Sequence, residues 1–201
     1  MSTAETLEGI VSSFGQKPRV HKKAVSCLHE FYLSGYISEP EDYIEWFDTI
    51  RHASPGDTVK IYINSGGGDL FTAVQFLRVL SETEAKVVIS VEGICASAAT
   101  IVFLCADVFE ITPHSMFLFH TYSGGTHGKG NEMYAQLAHE KKWSEKLFAE
   151  VYEGFLTEKE IEDMILSRDI WMDADEVAER MNRRIEKLKA QEQTEQLAES
   201  D

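Results

Sequence analysis

The stretch "TVKIYINSGGGDLFTAVQFLRVLSE" (58–82) passes from strand to helix through one serine, three glycines and an aspartate. Val59, Ile61 and Ile63 keep the two-residue period of a strand. Leu70, Val74, Leu77 and Val79–Leu80 then fall near one side of a helix. A strand that hands over to a helix in this way returns as a parallel neighbour, not as a hairpin. The pattern recurs: "KVVISVEG" (86–93) is a continuous apolar run, as expected of a strand covered on both faces, and "ASAATIVFLCA" (96–106) reads as a buried helix. The alternation predicts an α/β fold of parallel strands joined by right-handed crossovers.

The flanking segments fit around these units. "FYLSGYI" (31–37) predicts a strand, and "PEDYIEWFDTIRHA" (40–53) an amphipathic helix with Ile44, Phe47 and Ile50 on one face, stopped by "SPGD". "VFEIT" and "SMFLFH" read as short strands. "NEMYAQLAHEKKWSEKLFAEVYEGF" (131–155) predicts a long helix broken after Gly154; "TEKEIEDMIL" predicts a shorter one with Thr157 and Glu160 as a capping box. Residues 1–26 are expected to form an N-terminal arm, 27–180 one folded domain, and 181–201 a charged tail, a solvated helix fraying into disorder.

The 201 residues are 43% hydrophobic and 26% charged, ordinary for a single globular domain. No apolar run approaches the roughly 20 residues that cross a bilayer. The first residues lack a basic-then-apolar signal pattern. The expectation is a soluble cytosolic protein with no membrane partner. A net charge of −15 argues against nucleic acid as a partner. Three cysteines make an odd count without metal-ligand spacing, and no other cluster has such spacing, so neither metal nor cofactor is expected. Cys95 and Cys105 read as small core residues. Cys95 lies two residues from Ser97 and could compete as a nucleophile, but no basic neighbour in sequence favours its thiolate.

Two glycine-bounded turns, "NSGGGD" (64–69) and "GICAS" (93–97), carry the chemistry. The first could cradle a phosphate on free backbone N–H groups, but it fits neither G-x-G-x-x-G nor a Walker loop with its lysine. Alternatively its glycines bring an N–H close to a developing negative oxygen. The second puts Ser97 at a helix start with the Ala98 N–H free. One donor from each turn would form an oxyanion hole. Serines flanked by alanine are also common where two backbones pass closely, and residues alone leave both readings open for Ser97.

"IYINSGGGD", "GICASAA" and "SMFLFHTYSGG", in that order, resemble the proteolytic subunit of the Clp protease, the ClpP family, over roughly residues 29–178. The resemblance implies a ClpP/crotonase-like fold of repeated ββα units, with the long helix as a "handle" that packs ring on ring. It implies a serine endopeptidase acting on peptides or unfolded proteins inside stacked seven-fold homo-oligomeric rings. It makes Ser97 the nucleophile, His120 the general base, Asp169 of "SRDIW" the third member, and the N–H groups of Gly68 and Ala98 the oxyanion donors. Serine needs a base to become nucleophilic, and the Asp fixes the imidazole's tautomer.

The chain departs from the family pattern at named places. Gly66 replaces a proline, Ala98 a methionine, and Thr121-Tyr122 a Gln-Pro pair. Family members dock an ATP-driven AAA+ unfoldase through aromatic pockets; Tyr62 matches, but Lys60 and Glu82 fall where aromatics are usual, which weakens apolar docking. "RMNRRI" replaces the family's Y-G-L-[VI]-D segment, pointing to a divergent, viral or accessory member. Three other readings remain: a catalytically silent scaffold or regulatory ring subunit, a crotonase-type acyl-CoA enzyme, and a Ser/Lys dyad peptidase. No basic patch suits CoA phosphates, and no lysine motif lies beside Ser97.

Overall fold

The computed structural model describes residues 25–199; residues 1–24 of the expected arm, and the last two residues, lie outside them. Strand β1 (Leu28–Ile37) is followed by a 3-10 turn (Pro40–Tyr43), helix α1 (Ile44–Arg51), β2 (Thr58–Gly68), α2 (Leu70–Glu82), β3 (Lys86–Ala96) and α3 (Ala98–Phe103). Strands β4 (Val108–Ile111) and β5 (Met116–Phe119) come next, then α4 (Gly130–Val151), α5 (Glu158–Ile165), β6 (Ile170–Met172) and α6 (Ala174–Glu199). The fold is mixed α/β, with one sheet of order β1-β2-β3-β5-β6. β4 pairs in parallel with Val88–Val91 of β3, and β5 with Ile94–Ala96 further along the same strand. All neighbours are parallel except β5 and β6, where Leu118 faces Trp171 antiparallel. The sequence reading had not singled out β6.

Alternation decides which face of the sheet is covered. Val59, Ile61 and Ile63 are fully buried against the helices, while Lys60 and Tyr62 on the other face are partly exposed. On α2 the buried stripe is Thr72, Ala73, Phe76, Val79 and Leu80, rotated from the expected one; Leu70, Val74 and Leu77 are only half-buried. The segment before β2 also differs from expectation. The proline-initiated turn places Tyr43, not Ile44, on the core side, so the buried face is Tyr43, Phe47 and Ile50, and Ile44 is exposed. Tyr43, Phe47 and Phe76 pack edge-on or tilted with centroids 4.8–6.1 Å apart, each such pair adding about 0.5–1.5 kcal/mol to the burial itself.

The long helix ends at Val151, earlier than expected. Its two halves differ: Ser144, Phe148 and Val151 are buried, whereas Tyr134 and Leu137 are exposed. The α5 capping box forms as expected, with the Glu160 amide donating to Thr157 Oγ1 (3.2 Å) and the Thr157 amide to Glu160 Oε2 (2.8 Å). The charged C-terminal stretch is helical to Glu199 and is tied down at its start. Val177 and Met181 are buried, and Arg180 clasps Glu160 through two 2.8 Å bonds. Arg184 Nη1 donates to the Val151 carbonyl at the end of α4 (2.9 Å).

Candidate active site

The glycine-rich segment after "IYIN" is strand for longer than its composition predicts. After a register shift in each ladder, Gly67 and Gly68 still pair with Tyr36 and Ile37 of β1, and Ser65 with Cys95 of β3. The buried Ser65 hydroxyl holds this segment, donating to Gly35 O (2.6 Å) and accepting from Gly67 N (3.1 Å). Glycine is required here by space. A Cβ on Gly68 would lie 2.2 Å from Ile37 O; one on Gly67, where φ is +94°, would lie 2.6 Å from Ser97 Cβ and 3.0 Å from Ala98 N. Asp69 then caps α2, its Oδ1 accepting from Thr72 N (2.7 Å) and Thr72 Oγ1 (2.9 Å).

Ser97 sits between β3 and α3 with φ +57° and ψ −129°. Such a conformation costs a residue with a Cβ on the order of 1–3 kcal/mol and is held by its surroundings. The Ser97 amide donates to Leu118 O on β5 (2.9 Å), and its carbonyl accepts from Thr100 N (2.9 Å) and Thr100 Oγ1 (2.7 Å). The Thr100 hydroxyl lies 2.8 Å from the Tyr152 hydroxyl, which is buried. Sequence reading had not singled out Thr100 or Tyr152; their bracing depends on α3 meeting the end of α4, a contact with no local signature.

His120 follows the last residue of β5, two residues beyond the carbonyl that holds Ser97. Its Nδ1 lies 3.9 Å from Asp169 Oδ1, and Asp169 directly precedes β6, whose Ile170 pairs with Phe119. The neighbouring Arg168 binds Asp163 (3.1 Å). Asp169 is 58% exposed and His120 28%. Among the described residues no hydrogen bond joins Ser97 Oγ to the imidazole.

Ser97, Ala98, Gly68 and His120 line one cavity of about 360 Å³; Asp169 stands behind His120, outside its lining. The same lining holds Phe71 and Trp143, stacked at 5.4 Å, with Ile101 and Phe148. Cys95 is fully buried, and burial pushes its thiol far above the ordinary range, so its thiolate is not available near neutral pH. Cys105 is pushed up to about 12 by the same cause. Lys60 and Glu82 are both in ion pairs. Lys60 Nζ lies 2.9 Å from Glu110 and 5.0 Å from the Tyr62 ring, which stacks on Tyr32 at 4.7 Å. Glu82 pairs with Arg51 (3.4 Å) and Arg78.

The family model for Clp protease matches residues 41–180. The chain is 28% identical over 159 residues to the ATP-dependent Clp protease proteolytic subunit 2 of Pseudomonas aeruginosa, covering 76% of this chain and 77% of that one. It is 29% identical over 136 residues to subunit 1 of Chlamydia caviae, covering 65% and 70%. Among solved structures it resembles a point mutant of ClpP1 from Listeria monocytogenes, with a TM-score of 0.60 and 19% identity over 76% of this chain and 86% of that one. That likeness speaks to the fold. The family match spans well over half of the chain, from the start of the 3-10 turn into α6. The chain belongs to the Clp protease family, whose activity is proteolytic.

Proposed function

We propose that this protein is a serine endopeptidase that cleaves peptides and unfolded proteins through an acyl-enzyme. One observation carries the reading: Ser97 and His120 line one cavity with Gly68 and Ala98, and Asp169 stands at the far side of the imidazole. His120 takes the Ser97 proton as Oγ bonds to the scissile carbonyl carbon. The carbonyl oxygen becomes an oxyanion held by the Gly68 and Ala98 N–H groups. His120 then gives its proton to the leaving amine, and the C–N bond breaks. Water repeats the sequence in reverse, releasing the acid and restoring Ser97. Asp169 orients the imidazole and stabilises its cation. The Ser97–His120 hydrogen bond forms when substrate is bound or when subunits assemble.

The exposed apolar positions Tyr134 and Leu137 on α4 support the homo-oligomer, with stacked seven-fold rings enclosing the sites. Residues 27–180 form the peptidase domain, between the arm and the tail, and the protein works in the cytosol. Among the described residues, no helix is long and apolar enough to cross a membrane. Larger substrates need an ATP-dependent unfoldase. Lys60 and Glu82, each in ion pairs, make the docking surface charged, which favours a variant partner over the common one. Tight retention of the host Clp unfoldase, with stimulated degradation, would overturn that last point.

A fluorophosphonate probe tests the site. Adduct at Ser97, lost in Ser97→Ala and His120→Ala, is the expected result. No adduct from rings shown to be assembled would instead make the chain a silent scaffold or regulatory ring subunit.

A further inference from the structure

The active-site cavity opens at the carboxyl ends of β2 and β3; a second cluster of chemically capable side chains sits at the opposite, amino ends of β1 and β2. Cys27 and His29 are two residues apart at the start of β1, so the strand period places them on one side. Thr58 N donates to Cys27 O (2.9 Å) as the parallel pairing begins, which sets Asp57 beside Cys27. Asp57 is buried and oriented by two backbone donors, with Cys27 N on Oδ1 (2.7 Å) and Ser54 N on Oδ2 (2.8 Å). His29 Nε2 lies 3.7 Å from Asp57 Oδ2, shielded from solvent and without a hydrogen-bond partner among the described residues. Left so, a buried polar atom costs on the order of 1–3 kcal/mol.

One ligand-capable atom from each residue lies within 4.8 Å of the other two. Such convergence of three donor atoms is what a chelate requires. A thiol, an imidazole and a carboxylate together are the donor set of a tetrahedral ion of borderline softness. We propose that Cys27, His29 and Asp57 bind a divalent transition-metal ion of the zinc class, with water in the fourth position on the exposed side of Cys27. Binding replaces the Cys27 S–H bond by a sulfur–metal bond and releases that proton to solvent, so affinity rises with pH. The backbone bonds to Asp57 leave each of its oxygens a free lone pair and fix the carboxylate before the ion arrives. Sequence spacing did not reveal the set, because the third ligand directly precedes the neighbouring strand.

The test is titration of the purified full chain with cobalt(II), read by absorption. Expected are one ion per chain, a near-ultraviolet thiolate-to-cobalt band and the visible bands of a four-coordinate ion. Cys27 is the exposed thiol of the three: Cys95 is buried, and the partly buried Cys105 donates its thiol to Ile101 O. The band should vanish in Cys27→Ser, and His29→Gln should weaken binding at least about tenfold. Circular dichroism of both variants checks that the fold survives. A wild-type chain without the band, a band that persists in Cys27→Ser, or unchanged affinity in His29→Gln overturns the proposal.

Discussion

Gly67 and Ser97 approach so closely that a methyl group on the first would stand 2.6 Å from the Cβ of the second. Gly67→Ala must therefore displace Ser97 or the Ala96 carbonyl, which lies 2.7 Å from the same point. A displacement near 1 Å is worth on the order of a hundredfold in rate. The expected outcome is that loss in peptide hydrolysis, with a lowered unfolding temperature. Gly66→Ala is the control: its Cβ meets open space, so stability should stay within about 0.5 kcal/mol.

Asp169→Asn should lower kcat by about 10²–10⁴ while leaving the melting temperature nearly unchanged, because the carboxylate is exposed. Arg168→Ala should leave the rate alone, since that guanidinium serves Asp163. Steady-state peptidase assays on both variants separate an orienting carboxylate from a surface ion pair.

The two hydroxyls behind Ser97 should respond unequally. Tyr152→Phe removes one partner but leaves Thr100 Oγ1 donating to Ser97 O, at a cost of about 0.5–1.5 kcal/mol. Thr100→Val keeps the backbone bond to Ser97 O but strips the hydroxyl's, and also leaves the Tyr152 hydroxyl buried alone, at about 1–3 kcal/mol and with reduced turnover. Denaturant unfolding alongside peptidase assays reads both effects.

Acid stability tests the clasp between α5 and α6. The two bonds from Arg180 are the chief cause holding the Glu160 carboxyl at about 2, below its ordinary 4.5. A depressed folded-state value adds stability that is fully present above pH 4.5 and is lost as pH falls toward about 2. Wild type should exceed Glu160→Gln by on the order of 2 kcal/mol near neutrality, with the gap closing across that window. A gap that does not change with pH would show that the charge on Glu160 is not the source.

Charging the exposed stretch of α4 should dissociate the proposed assembly. Tyr134→Glu combined with Leu137→Lys is expected to lower the mass seen by light scattering at micromolar concentration, with helix content retained. A monomer mass for the unmodified chain would count against the rings themselves.

Much of this was legible in the residues because the deciding forces were local or periodic. Strand alternation at Val59, Ile61 and Ile63, and the Thr157–Glu160 box, depend on neighbours a few positions away. Ordered motifs single out Ser97, His120, Gly68 and Ala98 as candidates, and the fold brings them to one cavity. The face of α2 escaped because packing against α1 and α3 selected Ala73 and Phe76 over Leu70 and Val74. The phase of α1 escaped because a 3-10 turn winds more tightly than an α-helix, which carried Tyr43 inward and Ile44 outward. β6 was too short to show a period, and the Cys27–His29–Asp57 convergence exists only across two strands.

The bond from the Ser97 amide to the Leu118 carbonyl has a further consequence. A helix, two strands and their connections separate Ser97 from His120 along the chain, yet through space the path is that bond and two residues of β5. From there Phe119 pairs with Ile170, the residue next to Asp169. The spacing of all three is thus metered by rungs between strands and not by the length of any loop. A backbone nick between Thr112 and Ser115, or a circular permutation opened there, would leave every rung in place, and two complementing fragments could reconstitute the same alignment.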